Sequence, residues 1–179
     1  MISFDDDYVI EKQEGETWAV VKTKARSEKK FAEYCIKHSV TCYLPLTRSI
    51  RRYKNRTVEF TIPMFSGYVF TQVNPKNRIT ILESRQSAQL IMPDEHMEDN
   101  LIRELNDLRL LINATNEGKL LVRPEIEVGK TVRIRGGVLA GLNGIVVRRK
   151  NKARVTVNVE MIGYSVSIDL DVNELDIEF

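Results

Sequence analysis

Side chains able to do covalent chemistry are present, but not at the spacing that a catalytic or metal centre needs. His38 and His96 fall in no metal-ligand pattern, and Cys35 and Cys42 form no Cys-x-x-Cys pair. The glycines from Gly136 to Gly144 lack the Gly-Lys-Ser/Thr of a phosphate-cradling loop. Asp94 and Asp99 stand at an expected helix start, where acids complement the dipole. No enzyme, cofactor or metal is expected. Non-covalent chemistry is better represented. From Lys22 to Arg56 eleven bases face only Glu28 and Glu33, a local charge of +9. Such a stretch suits a polyanion, because each phosphate contact releases counterions; a solvated helix face is the other reading.

The remaining charge is distributed just as unevenly. The 179 residues carry a net charge of only +2. Residues 1–16 hold six acids and Lys12 and read as a mobile acidic leader, while acids return between Pro93 and Asp107. With 42% hydrophobic and 29% charged residues, the chain should fold as one or two small domains. Two cysteines are too few for a disulfide framework, the acidic start is unlike a signal peptide, and no apolar run is long enough to span a membrane. A cytoplasmic location is expected.

These residues need elements to position them. Trp18-Ala-Val-Val-Lys-Thr reads as a strand. A helix should follow, capped by Ser27, with Phe31, Ala32, Cys35 and Ile36 on its apolar stripe and Lys30 and Lys37 off it. Val40–Leu46 reads as a strand, Arg48–Arg56 as a basic hairpin tip and Thr57–Ile62 as its return. Further strands are expected at Tyr68–Val73 and Ser87–Met92, with a short helix opened by Asn74-Pro75 between them. A long helix should run from Asp94 to Ile112, with Leu101, Leu105, Leu108 and Ile112 on one side. This order fits an α+β split βαβ domain over residues 17–112, an antiparallel sheet with helices on one face. Residues 113–127 read as a linker. After it, five short alternating strands over 128–179 suggest a small all-β barrel, with a tight turn at Asn143-Gly144.

Three segments then acquire a common meaning. Trp18-Ala-Val-Val-Lys-Thr-Lys-Ala-Arg-Ser-Glu-Lys-Lys, Cys42-Tyr-Leu-Pro and Pro63-Met-Phe-Ser-Gly-Tyr-Val-Phe resemble the N-terminal domain of NusG-like transcription elongation factors. Gly129-Lys-Thr-Val-Arg-Ile-Arg-Gly-Gly-Val-Leu-Ala-Gly-Leu-Asn-Gly-Ile-Val is similar to their five-stranded KOW domain. Departures are Val138 and Ser66, where the family tends to place Pro. The short connection from Ser39 to Pro45 resembles specialised paralogues such as RfaH and the UpxY proteins, which act on selected operons.

The resemblance implies a monomeric factor that promotes processive elongation or antitermination. It would bind the clamp helices of RNA polymerase through an apolar hollow containing Phe65, Tyr68 and Phe70. Aromatic anchors suit an interface, although strand aromatics also serve as core. It further implies contact with the non-template DNA strand by Lys24, Tyr34, Lys37, His38, Ser84 and Arg85, since cations track phosphates and rings stack on unpaired bases. His38 has an alternative as a helix-end residue favoured by the dipole. On the KOW domain, Met161 and Ile162 would meet a ribosomal small-subunit protein, or else plug the barrel; the aliphatic Ile162 disfavours contact with Rho. A housekeeping NusG role and a ribosome-associated KOW RNA-binding protein are the competing readings.

Overall fold

The β-branched, nearly alternating run after Glu16 forms β1 (Thr17–Thr23), the centre of the first sheet. In this computed structural model the described residues are 9–54, 56–114, 121–123, 130–134, 141–149, 152–171 and 177–178. By their contacts they form two units, one spanning Lys12–Asp94 and the other Val9–Glu11 with Glu95–Phe179.

In the first unit β1 is followed by α1 (Glu28–Lys37), β2 (Cys42–Tyr43), β3 (Leu46–Tyr53), β4 (Arg56–Pro63), β5 (Tyr68–Val73), α2 (Asn77–Glu83) and β6 (Ser87–Ile91). The sheet order is β2-β5-β1-β6, antiparallel throughout, with Val20 opposite Phe70 and Ile91. This is the expected α+β arrangement. Trp18 through Val21 are all buried, so β1 is covered on both faces. On one face Phe31, Ala32 and Cys35 of α1 and Ile81 of α2 pack with Ala19, Val21, Val69 and Val73. The other carries Trp18, Val20 and Phe70, with Phe65 beside them, again buried.

The expected strand from Val40 to Leu46 is interrupted. Only Cys42–Tyr43 pairs with β5, and after Pro45 the chain leaves the sheet. The expected hairpin is longer than its basic tip: β3 and β4 pair along their whole length as a separate two-stranded sheet. Ile36 is exposed, because the buried stripe of α1 runs through Glu28, Phe31, Ala32 and Cys35 and leaves position 36 beyond its edge. Ser27 precedes α1 but its hydroxyl does not cap the helix; it meets the carbonyl of Ala25.

The exit from α1 is tightly specified. Ser39 adopts φ +57°, its N–H donates to Ile36 O at 3.0 Å, and the Val40 N–H donates to Cys35 O at 2.9 Å. This is a Schellman ending with serine where glycine is usual. Before α2, the Asn74 side-chain oxygen accepts from the N–H groups of Lys76 and Asn77, and its amide donates to Glu16, so Asn74 does open the helix.

The second unit contains α3 (Glu95–Ala114), β7 (Leu121–Arg123), β8 (Lys130–Ile134), β9 (Asn143–Arg149), β10 (Lys152–Val159), a 3₁₀ turn (Glu160–Ile162), β11 (Tyr164–Asp171) and β12 (Ile177–Glu178). The strands form a six-stranded antiparallel sheet in the order β12-β8-β9-β10-β11-β7. β7 lies inside the segment expected to be linker. Leu101, Leu105, Leu108 and Leu111 of α3 are fully buried and Ile112 is not, because a straight helix drifts from a strict heptad. Ile10, from the expected leader, is also buried: Asn106 accepts from its N–H at 2.9 Å and donates to its carbonyl at 2.8 Å. The positive φ near the expected Asn143-Gly144 turn belongs to Gly141, and Asn143 already begins β9. Gly136, Gly137 and Val138 lie outside the described residues, as do residues 1–8 of the leader.

Candidate functional site

The basic stretch wraps the end of β1 and the length of α1, where sequence-distant residues meet. The Lys24 N–H donates to Gln86 O at 2.8 Å, joining the exposed Lys24 to the loop that holds Arg85. Arg85 is exposed and takes φ +58°. Beside it the ladder between β1 and β6 is irregular: Lys22 faces Gln89 and Thr23 faces Ser87, so Ala88 is an extra residue. Bulges of this kind re-aim side chains at sheet edges. Three side-chain oxygens of this junction, Thr23 Oγ1, Gln86 Oε1 and Ser87 Oγ, are all buried and without a hydrogen-bond partner. A buried polar atom left unpaired costs roughly 1–3 kcal/mol.

Ser84 does not join this cluster. It is buried, and its hydroxyl oxygen accepts from the Ser87 N–H at 3.2 Å, so its task is to hold the loop.

Tyr34, Lys37 and His38 stand together at the far end of α1, at the three- and four-residue spacing that shares a helix face. The Tyr34 and His38 rings stack with centroids 4.0 Å apart and planes at 28°. His38 Nδ1 lies 2.9 Å from the Tyr34 carbonyl oxygen, where an Nδ1–H donates. That hydrogen bond fixes the imidazole at the helix end. Lys37 and His38 are exposed and Tyr34 is half-buried, so this is an aromatic platform with a cation alongside.

The Phe65–Phe70 segment is organised differently. Phe65 and Phe70 are fully buried and meet edge to face at 6.1 Å, with Tyr43 6.4 Å from Phe70. Tyr68 is half-buried. The turn before it depends on Gly67, whose φ of +86° suits glycine. The Gly67 N–H donates to Glu28 Oε1 at 2.6 Å and its carbonyl accepts from the Thr23 N–H at 2.8 Å. Glu28 is buried at the start of α1, so one carboxylate fixes the helix to the turn carrying Tyr68. Sequence reasoning missed this residue, which gave no signal beyond an acid in a first helical turn.

In the second unit Met161 is half-buried and Ile162 buried in the 3₁₀ turn, which Gly163 ends at φ +66°. The Glu160 N–H that opens the turn donates to Glu104 Oε2 of α3 at 3.2 Å. Burial pushes the Glu104 carboxyl up from its usual 4.5 to about 7, against the pull of that hydrogen bond. The Glu160 carboxylate adds to the rise and Arg103 opposes it.

No group of His, Cys, Asp and Glu among the described residues could hold a metal ion, and no helix among them is long and apolar enough to cross a membrane.

The first unit is an α+β domain with a basic rim, and the sequence assigns it to a family. Residues 16–106 match the NusG family, described as transcription termination factor nusG. The chain belongs to the NusG family. No curated protein matches it. Similar solved structures include one described as domain interaction in Thermotoga maritima NusG, 18% identical, with TM-score 0.43, covering 91% of this chain and 96% of that one. Two conformations of an MjSpt4:Spt5 complex are also similar. Conformation B is 17% identical, with TM-score 0.27, and covers 89% of this chain and 95% of that one. Conformation A is 19% identical, with TM-score 0.26, and covers 90% and 97%.

Proposed function

We propose that this chain is a transcription elongation factor that binds RNA polymerase and contacts the exposed non-template DNA strand, favouring processive elongation or antitermination of selected operons. The observation that carries the reading is the junction of β1 with the β6 loop. There the exposed Lys24 and Arg85 are brought together by the hydrogen bond from the Lys24 N–H to Gln86 O, a pair of cations suited to a phosphate backbone. The Tyr34–His38 stack and Lys37 extend the surface along α1.

Tyr68 is the polymerase anchor in this reading, because it alone of the three aromatics leaves part of its ring outside the core. Phe65 and Phe70 shape the hollow from within. Met161 is the contact offered by the KOW-like segment to a ribosomal small-subunit protein, with Ile162 packed behind it.

The test uses the full chain on a transcription bubble with and without RNA polymerase. Tyr68→Ala should abolish retention on polymerase with little change in melting temperature. Lys24→Gln with Lys37→Gln should leave polymerase binding intact and reduce the salt slope of single-strand binding by about 1.4, roughly 0.7 for each phosphate no longer neutralised. An unchanged slope rejects the DNA surface. Retention of ribosomal subunits without polymerase rejects the whole assignment.

A further inference from the structure

The β3–β4 hairpin is absorbed by neither the polymerase hollow nor the DNA surface. Its strands pair only with each other among the described residues, and most of their residues are exposed. A lone two-stranded hairpin is marginal in water. This one is held at its base, where the Met64 N–H donates to Pro45 O at 2.8 Å and Lys29 Nζ of α1 donates to Thr61 O. Arg48, Arg51, Arg52, Lys54 and Arg56 face Glu59 as the one acid. Glu59 is engaged by Arg48 at 3.4 Å on one side of the ribbon.

The opposite side has a different character. Residues directly across an antiparallel pair share a face, which places Ser49 with Phe60, Arg51 with Val58, and Tyr53 with Arg56. The Arg51 guanidinium lies 5.7 Å from the Phe60 ring centre and that of Arg56 lies 5.8 Å from the Tyr53 ring centre. Tyr53 is 50% exposed and Phe60 38%, so both rings are open to a ligand. Two arginine–aromatic units therefore repeat along one face. Their rings lie four positions apart along the ribbon, Phe60 opposite Ser49 and Tyr53 opposite Arg56, roughly 13 Å at about 3.3 Å per residue. Ser49 and Thr47 place hydroxyls on the same face.

We propose that this face is a second nucleic-acid site, which takes single-stranded RNA by stacking bases at Phe60 and Tyr53 while Arg51 and Arg56 meet its phosphates. Duplexes hide the base faces that such rings need, whereas an unpaired strand presents them. The hydroxyls beside the rings complement the ribose 2′-OH, the group that separates RNA from DNA. The site goes beyond the reading of the β1–β6 junction and does not depend on it.

The experiment measures fluorescence anisotropy of the full chain with labelled oligo-rU of about 12 nucleotides, within the ~4–16 typical of single-strand binders. Oligo-dT and an RNA duplex of equal length are the comparisons. Oligo-rU should bind several-fold more tightly than either. Tyr53→Ala with Phe60→Ala should weaken it by about tenfold or more for each base that no longer stacks, and Tyr53→Phe should retain the affinity. Arg51→Gln with Arg56→Gln supplies a second reading that spares the rings and should flatten the salt dependence. All these variants should still be retained on RNA polymerase, so failure here is separable from failure of the elongation reading. Affinity indifferent to the rings, preference for the duplex or for oligo-dT, or no binding to oligo-rU would each overturn the assignment.

Discussion

Replacing Glu104 by Gln should make the second unit more stable at pH 8 and leave it unchanged at pH 4. The folded protein holds the Glu104 carboxyl at about 7 against a usual 4.5. Between those values the folded state retains a proton that the unfolded chain has released, so stability falls as pH rises through this window and the loss is complete above about 7. Each decade of affinity for that proton is worth about 1.4 kcal/mol, which sets a ceiling of about 3 kcal/mol. Water reaching the carboxylate as the site relaxes reduces this, and on the order of 1–2 kcal/mol is expected. The amide of Gln cannot ionise, yet its oxygen can still accept the Glu160 N–H that opens the 3₁₀ turn. Urea unfolding followed by circular dichroism at half-unit pH steps gives the two stability curves. They should coincide below pH 4.5, separate between 4.5 and 7, and run parallel above it with the variant higher. Curves that never separate, or a Gln variant weaker at pH 8, would refute the account of burial as the dominant influence.

Three further outcomes follow from packing and backbone geometry. Ser39→Gly should raise stability by about 0.5–1 kcal/mol in denaturant titrations, since the αL residue ending α1 costs a non-glycine residue about 1–2 kcal/mol and glycine loses more entropy on folding. Phe70→Ala should cost about 3–5 kcal/mol in the same titrations, while Tyr68→Ala costs less than about 1 kcal/mol, a contrast set by their burial. Cys35 and Cys42 are both free and buried, and the Cys35 thiol is pushed up by its hydrogen bond to Cys42 and by burial; neither should react with a disulfide reagent until the protein unfolds, as absorbance of the released thiolate would report.

Local patterns in the sequence reached the elements whose patterns are strong. Trp18–Thr23, the stripe of Phe31, Ala32 and Cys35, Tyr68–Val73 and the leucines of α3 each carry a period that only one secondary structure satisfies. The errors lie where a partner elsewhere decides. Thr47 to Tyr53 is a basic run with no apolar alternation, so nothing local says that it continues as a strand paired along its length with β4. Ser84 looks like any loop serine until the Ser87 N–H turns its hydroxyl inward. The basic rim was legible as charge, whereas the three unpaired oxygens beside it were not, because they depend on the bulge at Ala88.

Glu28 has a mechanical consequence. Its carboxylate is the strut between the base of α1, which bears the Tyr34–His38 platform at its other end, and the Gly67 turn that presents Tyr68. A charge-assisted hydrogen bond of 2.6 Å is stiff, and charged hydrogen bonds contribute about 1.5–3 kcal/mol. That bond therefore ties the position of the Gly67 turn, and with it Tyr68, to the first turn of α1.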